Sequence, residues 1–188
     1  MPPKVKYTKD AMIEVAYQMV REKGAESLSA RNLAAKLGTS TAPIFTAFAN
    51  IEEVRTAVVE RARACYRRYA EAGMAMDPPF KGCGLQYIRF AKEEPMLFRM
   101  LFMRADEEGR SPSHYLPEGY EQESEVRGAV TSQYKTDDAR AKKIYNHLSV
   151  YTHGLATLYA QGQCAFTDED VSRMLSEVFL ALMKGEKV

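Results

Sequence analysis

The chain has 188 residues, of which 46% are hydrophobic and 27% are charged. This composition supplies enough apolar side chains for one large or two small folded domains and excludes a disordered chain. Its three cysteines are widely spaced and odd in number, which excludes a disulfide framework or a zinc ribbon and favours a reducing compartment. No apolar run approaches the roughly 20 residues needed to cross a bilayer, so we predict a cytoplasmic protein with no membrane partner.

The charge is distributed unevenly along the chain, although the net charge is only +1. Residues 1–70 contain 12 Lys or Arg and 7 Asp or Glu, whereas residues 71–188 contain 14 and 18. A basic first third and an acidic remainder are typical of a nucleic-acid-binding part joined to a part that does not touch phosphate.

The first predicted helix follows a short basic arm that contains Lys4 and Lys6. Thr8 is predicted to cap this helix, which runs to about Lys23 and ends at Gly24. Apolar residues at helical spacing predict its buried face, and they are Met12, Ala16, Met19 and Val20.

Two short helices joined by a tight turn are predicted over residues 29–48. Ser29 is a good cap for the first helix, and Gly38 can end it in the left-handed conformation. Ser40 is predicted to cap the second helix, with Pro43 in its first turn. Ile44 and Phe48 face inward, which leaves an outward face made of Thr41, Ala42, Pro43, Phe45, Thr46 and Ala47. This arrangement is the geometry of a helix-turn-helix.

The rest of the chain also has helical periodicity and no alternating strand pattern. Asn50 is predicted to cap a long helix to about Met76, and its arginines are interpreted either as a solvated face or as DNA contacts. The Asp77-Pro78-Pro79 segment breaks this helix. Further helices are predicted at 82–92, from Pro95 through PMLFRMLFM, at 117–134, at 136–161 with Thr136 as its cap, and from a Thr167–Asp170 capping box to Gly185, with a polar loop at 104–116.

The motifs SLSARNLAAKLGTS, IFTAF and NIEEVRTAV, which follow the helix ending at Gly24, resemble the DNA-binding domain of TetR-family transcriptional regulators. The resemblance implies an all-α protein of about nine helices. Its head (residues 1–50) would be a three-helix DNA-binding domain and its body (residues 51–188) an effector-binding and dimerising helical bundle. The implied partners are an operator in double-stranded DNA, a small-molecule effector and a second copy of the chain. The implied activity is that of a repressor, with no cofactor.

The segments GLQYIRFAKEEPMLFRMLF and HLSVYTHGLATLYAQG are similar to the C-terminal domain of a TetR subgroup with a Trp-His-Gly signature, although the chain has His153 and Gly154 but no tryptophan. Methionines and aromatic residues in this part suit an apolar pocket that accepts varied ligands, and the alternative for each of them is an ordinary core position. The predicted effector contacts are Tyr87, Phe90, Phe98, Met100, Met103, Tyr120, Tyr145 and Tyr151. The resemblance implies a four-helix dimer interface, and the predicted contacts are Leu155, Leu158, Met174, Leu175, Val178 and Leu182.

The predicted DNA contacts combine the outward face with nearby polar and basic residues: Lys4, Lys6, Lys9, Arg31, Lys36, Ser40, Thr41, Ala42, Pro43, Phe45, Thr46, Ala47 and Asn50. Family members commonly carry Tyr, His and Lys, which bind phosphate, at the positions of Phe45, Ala47 and Ile51. Because no Lys or Arg lies between Lys36 and Arg55, a second hypothesis stays open: a dimeric ligand-binding protein of the same fold with weak or lost DNA binding.

No catalytic or metal site is predicted. The sequence has no phosphate-binding glycine loop, nucleophile elbow or H-E-x-x-H motif. His147 and His153 lie six residues apart, which is poor spacing for two metal ligands on one helix. The adjacent carboxylates Glu93-Glu94 and Asp106-Glu107-Glu108 are interpreted as solvated charge. We therefore expect a protein that is not an enzyme.

Overall fold

A computed structural model describes residues 7–103, 128, 131–132 and 137–184 of the chain, and within these residues all regular structure is helical. This confirms the all-α prediction and a helix count near nine. The predicted loop at 104–116 and most of the predicted helix at 117–134 lie outside the described residues. The helices are α1 Lys9–Lys23, α2 Ala30–Leu37, α3 Ala42–Ala47, α4 Ile51–Met74, α5 Pro79–Glu93, α6 Pro95–Phe102, α7 Asp138–Ala160 and α8 Asp168–Lys184, with a 3₁₀ turn at Ala25–Ser27.

Side-chain caps and one glycine define the helix ends in the head. The Thr8 hydroxyl accepts a hydrogen bond from the amide of Ala11 at 3.2 Å, and the Ser29 hydroxyl accepts one from Asn32 at 3.1 Å. Gly38 ends α2 with φ of 67°, a left-handed conformation that costs glycine little. These local predictions are confirmed.

The predicted cap of α3 is wrong, because Thr41 and not Ser40 precedes the helix, and no side chain caps it. A capping hydroxyl bonds the amide of the second or third helical residue. Here the second residue is Pro43, which has no N–H, and the amide of Ile44 donates to the Thr41 carbonyl at 3.1 Å. No suitable donor is therefore left for the Thr41 side chain.

Helix α4 begins as predicted and ends two residues early. The Asn50 side chain accepts a hydrogen bond from the Glu53 amide at 3.0 Å, and Glu53 in turn accepts one from the Ala49 amide at 2.8 Å. After Met74 the chain turns, and α5 begins at Pro79, three residues before the predicted start. A Cβ atom on Gly82 would lie 2.2 Å from the Gly73 carbonyl oxygen, so the two helices cross with their backbones in contact.

The last two helices also have side-chain caps. Helix α7 is capped by Asp137, whose carboxylate accepts a hydrogen bond from the Arg140 amide at 2.8 Å; the predicted cap, Thr136, lies one residue too early and outside the described part of the chain. The predicted capping box of α8 is confirmed, since Thr167 and Asp170 each accept a hydrogen bond from the other's amide.

One continuous apolar core joins the head to the body. It runs from Met12, Leu33 and Ile44 in the head, through Val54 and Val58 on α4, to the aromatic residues of α5 and α6. Arg55 donates to the carbonyls of Ala25 and Leu28 at 3.4 and 3.3 Å, so its guanidinium group ties α4 to the chain just before α2. In the described ranges, no helix combines the length and apolarity needed to span a membrane.

Candidate functional site

Helix α3 presents the predicted outward face, which we call the recognition face (Thr41, Ala42, Pro43, Phe45, Thr46 and Ala47). The Phe45 side chain is 51% exposed, while Ile44 and Phe48 on the opposite side are buried in the core. Ala42 and Thr46 are also exposed, and the other three residues are half-buried. The face is small and carries no charge.

The Thr46 hydroxyl donates a hydrogen bond to the carbonyl of Ala42 at 2.9 Å, within its own helix. Its proton is therefore used, and its oxygen lone pairs and methyl group remain available to a neighbour. These groups can accept a hydrogen bond from a base edge or contact a thymine methyl group in a major groove.

The cations near the recognition face differ in their partners. Lys9 forms an ion pair with Glu53 at 2.7 Å and lies over the Phe48 ring, and Lys36 lies 3.9 Å from Glu22. Arg31 is exposed and has no carboxylate partner among the described residues. Lys4 and Lys6 lie outside these residues. Among the predicted DNA contacts in the described residues, Arg31 is thus the cation without a carboxylate partner.

Two further polar residues among the predicted contacts, Ser40 and Asn50, are exposed, and the Asn50 side-chain oxygen is already used in capping α4.

Six ring side chains from α4, α5, α6 and α7 form an aromatic cluster in the body. Ring centroids lie 5.0 Å apart for Phe98–Phe102, 5.1 Å for Tyr66–Phe102 and 5.4 Å for Tyr87–Phe98. The Tyr87 hydroxyl and His153 Nδ1 are hydrogen-bonded at 2.9 Å. The members are Tyr66, Tyr87, Phe90, Phe98, Phe102 and His153. The Tyr69 ring packs against Phe90 at the edge of this cluster, with centroids 5.2 Å apart.

The structure brings some of the predicted effector residues together and separates others. Tyr87, Phe90 and Phe98 are in the aromatic cluster, and Met100 is buried in the same core with 5% exposure. Met103 and Tyr151 are half-buried against this core. Tyr145 belongs to a separate small group with Cys83, whose thiol pKa is raised to about 11 by burial. Tyr120 lies outside the described residues.

Three members of the aromatic cluster were absent from the predicted set: Tyr66, Phe102 and His153. Phe102 lies in the same apolar run as Phe98 and four residues after it, so helical spacing could have placed the two rings on one face. Tyr66 lies in the arginine-rich part of α4, and the charged residues around it in the sequence gave no indication that it is buried. His153 has a hydrogen-bonding partner on another helix, as expected for a satisfied histidine of the core.

The last two helices leave several large apolar side chains uncovered, and these are Val150, Leu158 and Leu180 with exposures of 50%, 37% and 52%. Gly154 lies between the first two on α7 and is also exposed, with no atom within 4 Å of an added Cβ. Of the predicted interface residues, Leu155 and Leu175 are covered by the chain's own core at 5% exposure, while Met174, Val178 and Leu182 are half-buried. Val150 and Leu180 were missed by the sequence prediction.

In the part of the chain that the structure describes, no three His, Cys, Asp or Glu side chains are grouped to hold a metal ion. A search of curated proteins finds no match for the chain. The family model described as "Tetracyclin repressor-like, C-terminal domain" matches residues 80–182, which is more than half of the chain and spans α5 to most of α8. The chain therefore belongs to the tetracyclin repressor-like family.

Proposed function

We propose that the chain is a ligand-responsive, DNA-binding transcriptional regulator, a homodimeric repressor that a small molecule releases from its operator. The observation that carries this proposal is the exposed, uncharged recognition face on α3, held outward by the buried Ile44 and Phe48. The fit of the body to the repressor-like family model supports the same proposal. We assign the head to residues 1–50, the body to residues 51–188, and the protein to the cytoplasm.

Effector binding in the body would release DNA by changing the spacing of the two heads. Such a change requires the effector to bind one head spacing more tightly than the other. The continuous core from α1 through α4 to the aromatic cluster supports this coupling, because the packed helices that would carry it join the two parts. Met103 and Tyr151 are the predicted contacts that reach the edge of the buried cluster.

We also assign the body to the subgroup with a Trp-His-Gly signature, on the support of His153 and Gly154. His153 is hydrogen-bonded to Tyr87 inside the body, and the next residue, Gly154, is exposed on α7. His153 would thus lie in the effector region, and Gly154 would lie on the dimer surface.

Replacement of Leu158 and Leu180 by aspartate is expected to convert dimers into monomers. These two side chains lie exposed on α7 and α8, and a charge placed in a dimer interface is costly to desolvate. Sedimentation velocity at micromolar concentration measures the change. Phe45→Asp in the head is the matched control, since it adds the same charge at an exposed apolar position and should stay dimeric. A monomeric wild-type chain would contradict the prediction.

Arg31→Ala is expected to weaken binding to operator and scrambled duplexes alike and to make the salt dependence shallower. Each phosphate contact contributes about −0.9 to the slope of log K against log salt concentration. A dimer that loses two contacts should therefore have a slope about 1.8 smaller in magnitude. Fluorescence anisotropy at several salt concentrations, with DNA from upstream of the chain's own gene, measures both effects. Arg67→Ala is the control, because Arg67 is an exposed arginine on α4 beyond the head. An unchanged slope for Arg31→Ala would exclude its phosphate contact.

Thr46→Ala is expected to cost about 1–3 kcal/mol at the operator and little on scrambled DNA, as base readout requires. The same anisotropy titrations provide the measurement. An equal loss on both duplexes would show that Thr46 does not read bases.

The alternative function is a dimeric ligand-binding protein of this fold that does not bind DNA. It is favoured by the pairing of Lys9 and Lys36 with glutamates of the chain, which leaves Arg31 as the cation without a carboxylate partner beside the recognition face in the described head. Equal affinity of the wild type for operator and scrambled duplexes at every salt concentration would support this alternative.

A further inference from the structure

An open cleft of about 510 Å³ lies where α1 of the head meets α4 and α5 of the body. The residues that matter for its chemistry are Arg21 on α1, Arg68 and Tyr69 on α4, and Gln86 and Arg89 on α5. We call it the junction cleft. Its volume is within the range of small-molecule sites, and none of the predicted effector residues lines it.

The junction cleft has one more positive than negative side chain, because three arginines and two glutamates line it. Both carboxylates are already engaged: Glu94 accepts two hydrogen bonds from Arg21, and Glu93 accepts one from Arg89 and one from the Tyr69 hydroxyl. The contact with Arg89 lowers the pKa of Glu93 below its ordinary value, so this carboxylate stays ionised and paired.

Arg68 is the cleft arginine that lacks a carboxylate partner in the described ranges. Its guanidinium group donates to the Cys65 sulfur at 3.4 Å, which is a weak acceptor, and most of its N–H groups remain available. Gln86, across the cleft on α5, has only a 3.9 Å contact from its amide nitrogen to the Met76 sulfur. A guanidinium group and a weakly bonded amide therefore line one open volume.

We propose that the junction cleft binds a small organic carboxylate, with Arg68 as the anchor and the Gln86 amide as the second donor. Guanidinium groups bind carboxylates through two parallel N–H···O bonds. A singly charged ligand fits better than a phosphate dianion, because one guanidinium is unpaired while Glu93 and Glu94 line the same cleft and repel added negative charge. The ligand would touch the head through α1 and the body through α4 and α5.

The test is calorimetric titration of the full chain with acetate, benzoate and benzamide, in the absence of DNA. We expect saturable binding of at least one of the two carboxylates at millimolar concentration, and weaker binding of uncharged benzamide. Arg68→Gln should reduce carboxylate affinity by about fivefold, the upper end for an ion pair that water reaches. Arg67→Gln is the matched control, since this neighbouring arginine is exposed but does not line the cleft. The carboxylate affinity of this variant should equal that of the wild type.

Three outcomes would overturn the proposal. They are the absence of saturable binding by both carboxylates, equal affinity of Arg68→Gln and the wild type, and equal affinity for benzoate and benzamide. A carboxylate bound in the aromatic cluster would keep its affinity in Arg68→Gln. This variant therefore distinguishes binding in the junction cleft from binding at the proposed effector site. Because no DNA is present, the result is also independent of whether the chain is a repressor.

Discussion

Phe98→Ala is expected to lower the free energy of unfolding by about 3–5 kcal/mol, the range for removing a buried phenylalanine ring. The Phe98 side chain has 0% exposure, and its ring lies 5.4 Å from Tyr87, 5.0 Å from Phe102 and 5.9 Å from His153. Removing it leaves a cavity among rings from α5, α6 and α7, and these rings are too tightly packed to collapse fully into it. Urea unfolding followed by far-UV circular dichroism measures the change.

Phe45→Ala is the matched control, because it removes the same ring from an exposed position on α3. Its effect on stability should stay within about 0.5 kcal/mol. Phe98→Leu, which retains most of the apolar volume, should fall between the two variants. If Phe98→Ala unfolds at the same urea concentration as the wild type, Phe98 is not packed in a closed cluster.

This packing changes how the proposed effector site has to be probed. A loss of ligand affinity in Phe98→Ala would report a damaged core as readily as a lost contact. Tyr151 and Met103 are half-buried, so truncating them costs less stability. Tyr151→Phe and Met103→Ala are therefore the informative variants for effector affinity.

The features that the sequence predicted correctly are mostly local. Thr8, Ser29, Asn50 and Thr167 each cap a helix through an amide three residues away, so a short stretch of sequence contains both partners. The cap of α3 was missed because it depended on the helix starting one residue later, with Pro43 in second place. The early start of α5 was missed for a similar reason, since Pro79 was interpreted as part of a break and not as a first helical residue.

Features that depend on which helices meet could not be predicted. The concentration of aromatic residues grouped Tyr87, Phe98 and Tyr145 as predicted effector contacts, but it did not indicate that Tyr145 packs with Cys83 away from the other two. In the same way, the apolar stripes of α7 and α8 contained both core and surface residues. Leu155 and Leu175 are covered by the chain itself, whereas Leu158 is 37% exposed.

Glu94 is the clearest correction to the sequence interpretation. Beside Glu93 at a helix end it was expected to be solvated, yet it is 6% exposed. Its partner Arg21 lies 73 residues away and donates two hydrogen bonds to its carboxylate, one of them at 2.6 Å. Glu94 in turn raises the pKa of Arg21 above its ordinary value, so the guanidinium group stays charged. No local pattern contains both members of such a pair.

Arg21→Ala is expected to lower the free energy of unfolding by about 3 kcal/mol, the low end for removing one partner of a buried ion pair. The two partners are buried to different extents, because the Arg21 side chain is 45% exposed and the Glu94 side chain only 7%. Removing Arg21 leaves an unpaired carboxylate out of water, whereas Glu94→Gln leaves a guanidinium that water can reach. Glu94→Gln also keeps a neutral hydrogen-bond acceptor, so it should cost only about 1 kcal/mol.

A double-mutant cycle measured by urea unfolding separates this effect from general loss of packing. In the Arg21→Ala, Glu94→Gln double variant the carboxylate is absent. The double variant should therefore lose less free energy of unfolding than the two single variants lose in sum. Arg63→Ala is a suitable control, since Arg63 pairs with Glu60 on the surface of one helix and such pairs contribute little. Additive losses, or a larger loss for Glu94→Gln than for Arg21→Ala, would contradict the buried pair. If the coupling is found, this charged pair contributes to the contact between α1 of the head and the start of α6, and changes at either residue should also alter how firmly the head is held against the body.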